Sequence, residues 1–235
     1  MNTNTKTQTL PKFAGGKNVA HRTRQILTTV RVLFWLTAIG LAVYFFTNAV
    51  ARYFVFSAES YGSRGAYRVW LLWHIGGGTV ALSLGFFQFS TALRERYPQF
   101  HRWTGRFYLL GVAIGAATAF YMSVHSVNGQ TFGIALFTLA SFWVVSAMLA
   151  VYAVLNGKYE AHRQWMTRNY VLTFAFVIFR LLAMTPLFTN LSQLERVTAI
   201  GWLCWTVPLF ITEIWLQRKQ IFAPAEELSL TQRKL

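Results

Sequence analysis

The sequence predicts an all-α polytopic membrane protein: a six-helix transmembrane bundle with both termini cytoplasmic. Three observations predict it. Of 235 residues 54% are apolar and 12% charged, whereas an ordinary soluble domain carries about 25% charged residues. The apolar residues fall in long blocks, each near the ~20 residues that cross the hydrocarbon core of a bilayer. Basic residues crowd alternate connections, the bias that fixes orientation in a membrane.

The blocks run approximately Val32–Val50, Trp70–Phe89, Phe107–Val124, Phe132–Leu155, Tyr170–Phe188 and Thr198–Leu216. Trp70, Trp73, Tyr108, Tyr121, Tyr152, Tyr170, Trp202 and Trp215 lie near block ends, where an aromatic belt belongs. The first tail holds Lys6, Lys12, Lys17, Arg22, Arg24 and Arg31, and the connection after block two holds Arg94, Arg96, Arg102 and Arg106. Lys158, Arg163 and Arg168 follow block four; Arg218, Lys219, Arg233 and Lys234 follow block six. The other connections carry only Arg52, Arg64, Arg68 and Arg196. Both ends therefore face the cytoplasm.

The expected organisation is a basic tail over residues 1–26, a transmembrane domain over 27–217 and a C-terminal tail over 218–235. Met1–Gln25 is polar, basic and too long to be the leading segment of a signal peptide, so it and Phe222–Leu235 are expected to be mobile cytoplasmic tails. Pro98 suits the first turn of the third span. Pro186 and Pro208 are expected to bend spans five and six.

The net charge is +15 and no aspartate occurs. Because the cations flank apolar blocks, the expected partners are the lipid bilayer and anionic lipid headgroups, not nucleic acid. Cys204 is the sole cysteine, which excludes an internal disulfide and a cysteine metal cluster. No HExxH, Gly-rich phosphate loop or Ser-His-Asp set is present.

The histidines are patterned. His21 lies in the basic tail. His74 opens span two and His125 sits between spans three and four, both toward the outer face; His101 precedes span three and His162 span five, both toward the inner face. Intramembrane polar residues tend to mark functional sites. Paired imidazoles on facing helices are how a b-type haem is held. His74, Gly78, Ala81, Gly85 and Gln88 share one helical face. That stripe reads either as a slot for a flat macrocycle or as a helix–helix contact. His125 is the weakest member, because His101 and His125 are separated by roughly 36 Å of helix.

Arg180 lies within span five, where a charge costs at least about 2.5 kcal/mol. It is expected to face the bundle interior, partnered by Glu213, a haem propionate or an anionic substrate. The stretches His101–Arg106 and Ala161–Tyr170, read as cytoplasmic loops, each combine histidine, arginine and tryptophan. They read either as a joint site for an anion or quinone headgroup or as interfacial anchors.

The runs WHIGGGTVALSLGFFQF, HRWTGRFYL and AHRQWMTRNYVLTFAFVIFRL resemble a family of bacterial multipass membrane proteins of unknown function, domain of unknown function 2306. The resemblance covers about Leu72–Leu182 and rests on His74, His101, Arg106, His162, Arg163, Met166, Arg168 and Arg180. It implies a multi-pass protein of the bacterial inner membrane and brings no activity. More distantly, the layout is similar to di-haem transmembrane cytochromes of the b-561 kind. That similarity implies haem b held by His74 with His125 and by His101 with His162, with Arg106 and Arg180 on propionates. Electrons would then pass from a small cytoplasmic reductant or quinone. The rival functions are a non-redox transporter or assembly subunit, and a membrane-embedded enzyme acting on lipid or quinone.

Overall fold

A computed structural model describes residues 15–51, 53 and 67–222. Lys6, Lys12, Arg52, Arg64, Arg233 and Lys234, with the outer parts of both expected tails, lie outside the described residues. The elements are α1 (Gly15–Phe45), a π turn (Phe46–Val50), α2 (Arg68–Gln88), α3 (Thr91–Arg96), α4 (Pro98–Val124), α5 (Gln130–Leu155), α6 (Tyr159–Thr173), α7 (Ala175–Ala183), a 3-10 turn (Pro186–Phe188) and α8 (Gln193–Phe222). The chain forms two compact units, residues 1–43 and 44–235. The first contains most of α1; the apolar stretch Trp35–Asn48 begins in it and ends in the π turn of the second.

The second unit holds five helices long and apolar enough to cross a bilayer: Arg68–Gln88, Pro98–Val124, Gln130–Leu155, Tyr159–Ala183 and Gln193–Arg218. Side-chain size follows a bilayer's logic. On α5, Ala135, Ala140, Ser146, Ala147, Ala150 and Ala153 are buried, while Ile134, Phe137, Val145, Met148 and Tyr152 point outward. Small residues inside let helices approach, and lipid solvates the large ones outside.

Helix starts differ from the hydropathy blocks. α1 begins at Gly15, so part of the expected mobile tail is helical. The stretches expected as loops, His101–Arg106 and Ala161–Tyr170, are the first turns of α4 and the body of α6. Both are amphipathic, and a hydropathy block begins only where the last charge has passed. Pro98 opens α4 as expected. The fifth span is not interrupted first at Pro186. It breaks at Phe174, whose N–H is shared between the carbonyls of Tyr170 (3.2 Å) and Val171 (3.1 Å). α7 then ends at Ala183, ahead of the turn that Pro186 starts. α8 runs unbroken through Pro208.

Helices α2, α4, α5 and α6 close a ring. α2 packs most extensively on α4, α4 on α5, α5 on α6, and α6 returns to α2. α4 and α6 are therefore diagonal partners. α8 lies against α5, α6 and α7. The α2–α4 contact is backbone to backbone. A Cβ on Gly77 would stand 2.7 Å from the carbonyl oxygen of Gly111 and 2.7 Å from the nitrogen of Gly115. Gly111 and Gly115 form a small-xxx-small pair, the spacing that permits such approach. Gly76, by contrast, has open space beside it.

Gly77→Ala should therefore destabilise the bundle by about 1–3 kcal/mol, the usual cost of overpacking, while Gly76→Ala should be near neutral. Thermal unfolding of the two variants in the same detergent checks the contrast.

Candidate histidine site at the basic end

The helices present two ends. The basic end gathers the end of α2, α3, the start of α4, the α5–α6 connection and the end of α8. The opposite end carries Arg68, His125 and Arg196.

At the basic end, His162 is half-buried, and its Nδ1–H donates to the carbonyl of Ala150 on α5 at 2.8 Å. This bond fixes the tautomer and leaves the lone pair on Nε2, the arrangement of metal-ligating histidines. His101 stands on the diagonal helix α4. It lies in the first turn of its helix, as His162 does in α6, so both histidines stand at this end. Gln88 closes the site from α2. With its amide nitrogen toward His101 it donates to Nδ1 at 3.2 Å, and its oxygen accepts from Thr104 Oγ1 at 2.6 Å and from the Gly105 N–H at 3.2 Å. Gln88 thus makes Nδ1 of His101 the acceptor, which puts the ring proton on Nε2.

The outer histidines are not brought together. His74 donates from Nδ1 to the Gly115 carbonyl at 2.8 Å and meets Phe176 edge-on at 6.1 Å. His125 bonds the Tyr121 carbonyl of its own helix at 2.9 Å and stacks on the Tyr121 ring at 4.3 Å. Tyr121 stacks in turn on Trp70 at 4.4 Å. Ten residues of α4 separate Gly115 from His125, about 15 Å along the axis.

The two arginines expected near the cofactor stand elsewhere. Arg106 is exposed, its guanidinium 4.8 Å over the ring of Trp103. Arg180 is exposed on α7 and not in the bundle interior. Eighteen residues separate it from His162, roughly 27 Å of helix. Glu213 pairs instead with Arg168, at 2.7 Å. The inward choice follows from position: Arg168 lies on α6 beside α8, one helical segment closer to the basic end than Arg180.

The small-residue stripe on α2 is filled by protein at Ala81 and Gly85 and has open space at Gly78. A Cβ on Gly85 would meet the rings of Tyr170 at 2.3 Å and Tyr108 at 2.8 Å, and Ala81 is fully buried. Below it lies a polar knot that the sequence reading missed. Asn169, fully buried, accepts from the Tyr108 hydroxyl and donates to the Trp143 carbonyl at 2.6 Å and Ser146 Oγ at 2.8 Å. Trp143 Nε1 donates to Thr173 Oγ1 at 3.0 Å, and the Tyr170 hydroxyl donates to the Leu82 carbonyl at 2.9 Å. The available signal was an asparagine one turn before Thr173 in an apolar segment, where polar side chains hydrogen-bond across helices.

Among the described residues no three of His, Cys, Asp and Glu converge, so a bare metal ion would lack ligands. A macrocycle that carries its own four donors needs only one or two imidazoles.

The family model for predicted membrane protein DUF2306 matches residues 71–216. The chain belongs to the DUF2306 family. The match spans all five long apolar helices of the second unit save the first residues of α2 and the end of α8. As a DUF2306 member the chain is a multi-pass membrane protein. No curated protein and no solved structure matches it.

Asn169→Ala should cost about 1–3 kcal/mol by leaving buried polar groups unpaired. His125→Ala, at an exposed helix end, should cost little. Denaturation in mixed micelles separates the two.

Proposed function

We propose that this DUF2306 protein is a membrane electron carrier of the bacterial inner membrane that holds one b-type haem at its basic end, with His101 and His162 as axial ligands. The observation that carries the reading is the placement of these two imidazoles at the starts of two diagonal helices of a four-helix ring, at the same end. His162 fits the group directly, since the Ala150 carbonyl takes its Nδ1 proton and leaves Nε2 free. His101 fits once the Gln88 amide, whose nitrogen donates to Nδ1, turns over and the ring proton moves from Nε2 to Nδ1. Bound there, the haem would supply one-electron chemistry. The chain's own groups fix both rings, and Phe89 and Tyr170, whose rings lie 5.1 Å apart, line the neighbouring apolar wall.

The outer pair does not fit a second haem, because His74 and His125 lie at different depths. The reading therefore takes one haem per chain, not two. It also takes α1 as a sixth span and both termini as cytoplasmic, supported by the basic residues at one end of the helices. The electron donor would be a small cytoplasmic reductant or a quinol.

A non-redox transporter or assembly subunit is the second reading. The occupation of the Gly85 groove by Tyr170 and Tyr108 favours it, since that part of the stripe serves helix packing.

Purified from haem-replete cells, the protein should show a Soret band and a reduced-minus-oxidised α band, with close to one haem per chain by haemochrome assay. His101→Ala and His162→Ala should each remove the low-spin signature, and His125→Ala should leave it intact. A preparation with no Soret band would overturn the haem reading in favour of the second.

A further inference from the structure

The turn from α2 into α4 carries a second feature, independent of any haem. Between Ser90 and Phe107 stand four arginines and a single carboxylate, Glu95. Arg94, Arg96, Arg102 and Arg106 are all exposed. None of the four takes part in the ion pairs Arg163–Glu160 and Arg168–Glu213, and Glu95 is the one carboxylate among them. Arg102 and Arg106 stand four residues apart on α4, neighbours on one face by the helical repeat. α3, which carries Arg94, packs on α4. Like charges so gathered invite an anion.

The depth of the cluster identifies the anion. Trp103 and Phe107 are 57% and 51% exposed on the same helix, and Arg106 is stacked on Trp103. Exposed aromatic rings at the end of a membrane span sit at the headgroup level. The phosphates at that depth belong to lipid, not to the aqueous phase. The stack also holds the Arg106 guanidinium level with its tryptophan, so that it does not extend into water.

We propose that this α3–α4 corner binds an anionic phospholipid, its phosphate held by Arg102 and Arg106 with Arg94 alongside and its upper acyl chains against Trp103 and Phe107. The test reconstitutes the full chain in phosphatidylcholine vesicles and measures the association of spin-labelled phosphatidylglycerol against spin-labelled phosphatidylcholine. The wild type should prefer phosphatidylglycerol. Arg102→Gln with Arg106→Gln should lower that preference about five-fold per arginine, from about 1 kcal/mol for each surface cation. Arg163→Gln, which removes a cation already paired with Glu160, should leave the preference unchanged. If the double variant fails to insert, Arg94→Gln alone should give a reduced preference. Equal association of the two lipids with the wild type overturns the proposal, as does a preference that survives these variants. Its loss in excess inorganic phosphate overturns it too, and points to a soluble phosphate site.

Discussion

The second unit depends on how closely two backbones can approach. Lipid gives no hydrophobic reward for helix association, because acyl chains solvate leucine as well as another helix does. Gly77 against Gly111 and Gly115 replaces that missing drive with direct backbone contact. The approach brings the Gly115 carbonyl within 2.8 Å of His74, so one small-residue contact also sets the depth of an intramembrane imidazole. The same register places Gly85 over Tyr108 and Tyr170 and Gln88 over Thr104 and Gly105. The alignment of Gln88 with Thr104 and Gly105 at the basic end thus follows from glycines in the middle of the span.

Polar residues within the ring are paired by neighbours from other helices. Asn169 ties α6 to α4 and α5 at once, and Tyr170 reaches α2. In a medium without water an unsatisfied amide costs several kcal/mol. These bonds therefore specify which face of α6 turns inward as well as holding it there. Arg168 with Glu213 adds α8 by the same logic at the rim.

Much of this was legible in the residues. The apolar blocks located every long span of the second unit, and Pro98 marked the true start of α4. Histidine positions alone brought His101 and His162 to one end. What escaped had physical causes. Hydropathy averages over all faces of a helix, so the amphipathic starts of α4 and α6 read as loops. The stripe from His74 to Gln88 is crowded at Gly85 and open at Gly78, and periodicity does not say whether a ligand or a neighbouring ring fills such a face; Tyr170 does, at Gly85. Glu213 takes Arg168 and not Arg180 because Arg168 lies one helical segment closer to the basic end, where α8 carries Glu213. The spacing of Gly111 and Gly115 was a readable signal that went unused.

The pairing of Asn169 has a consequence for biogenesis. The segment Tyr159–Ala183 is the least apolar of the five candidate spans, and on its own it would enter the bilayer with an exposed amide. Its partners Tyr108, Trp143 and Ser146 are all translated before it. Ribosomal order therefore delivers the acceptors and donors first, and this segment can be inserted against a surface already prepared for its amide. A circular permutant that synthesised this segment ahead of α4 would present the translocon with the polar residue and none of its cover.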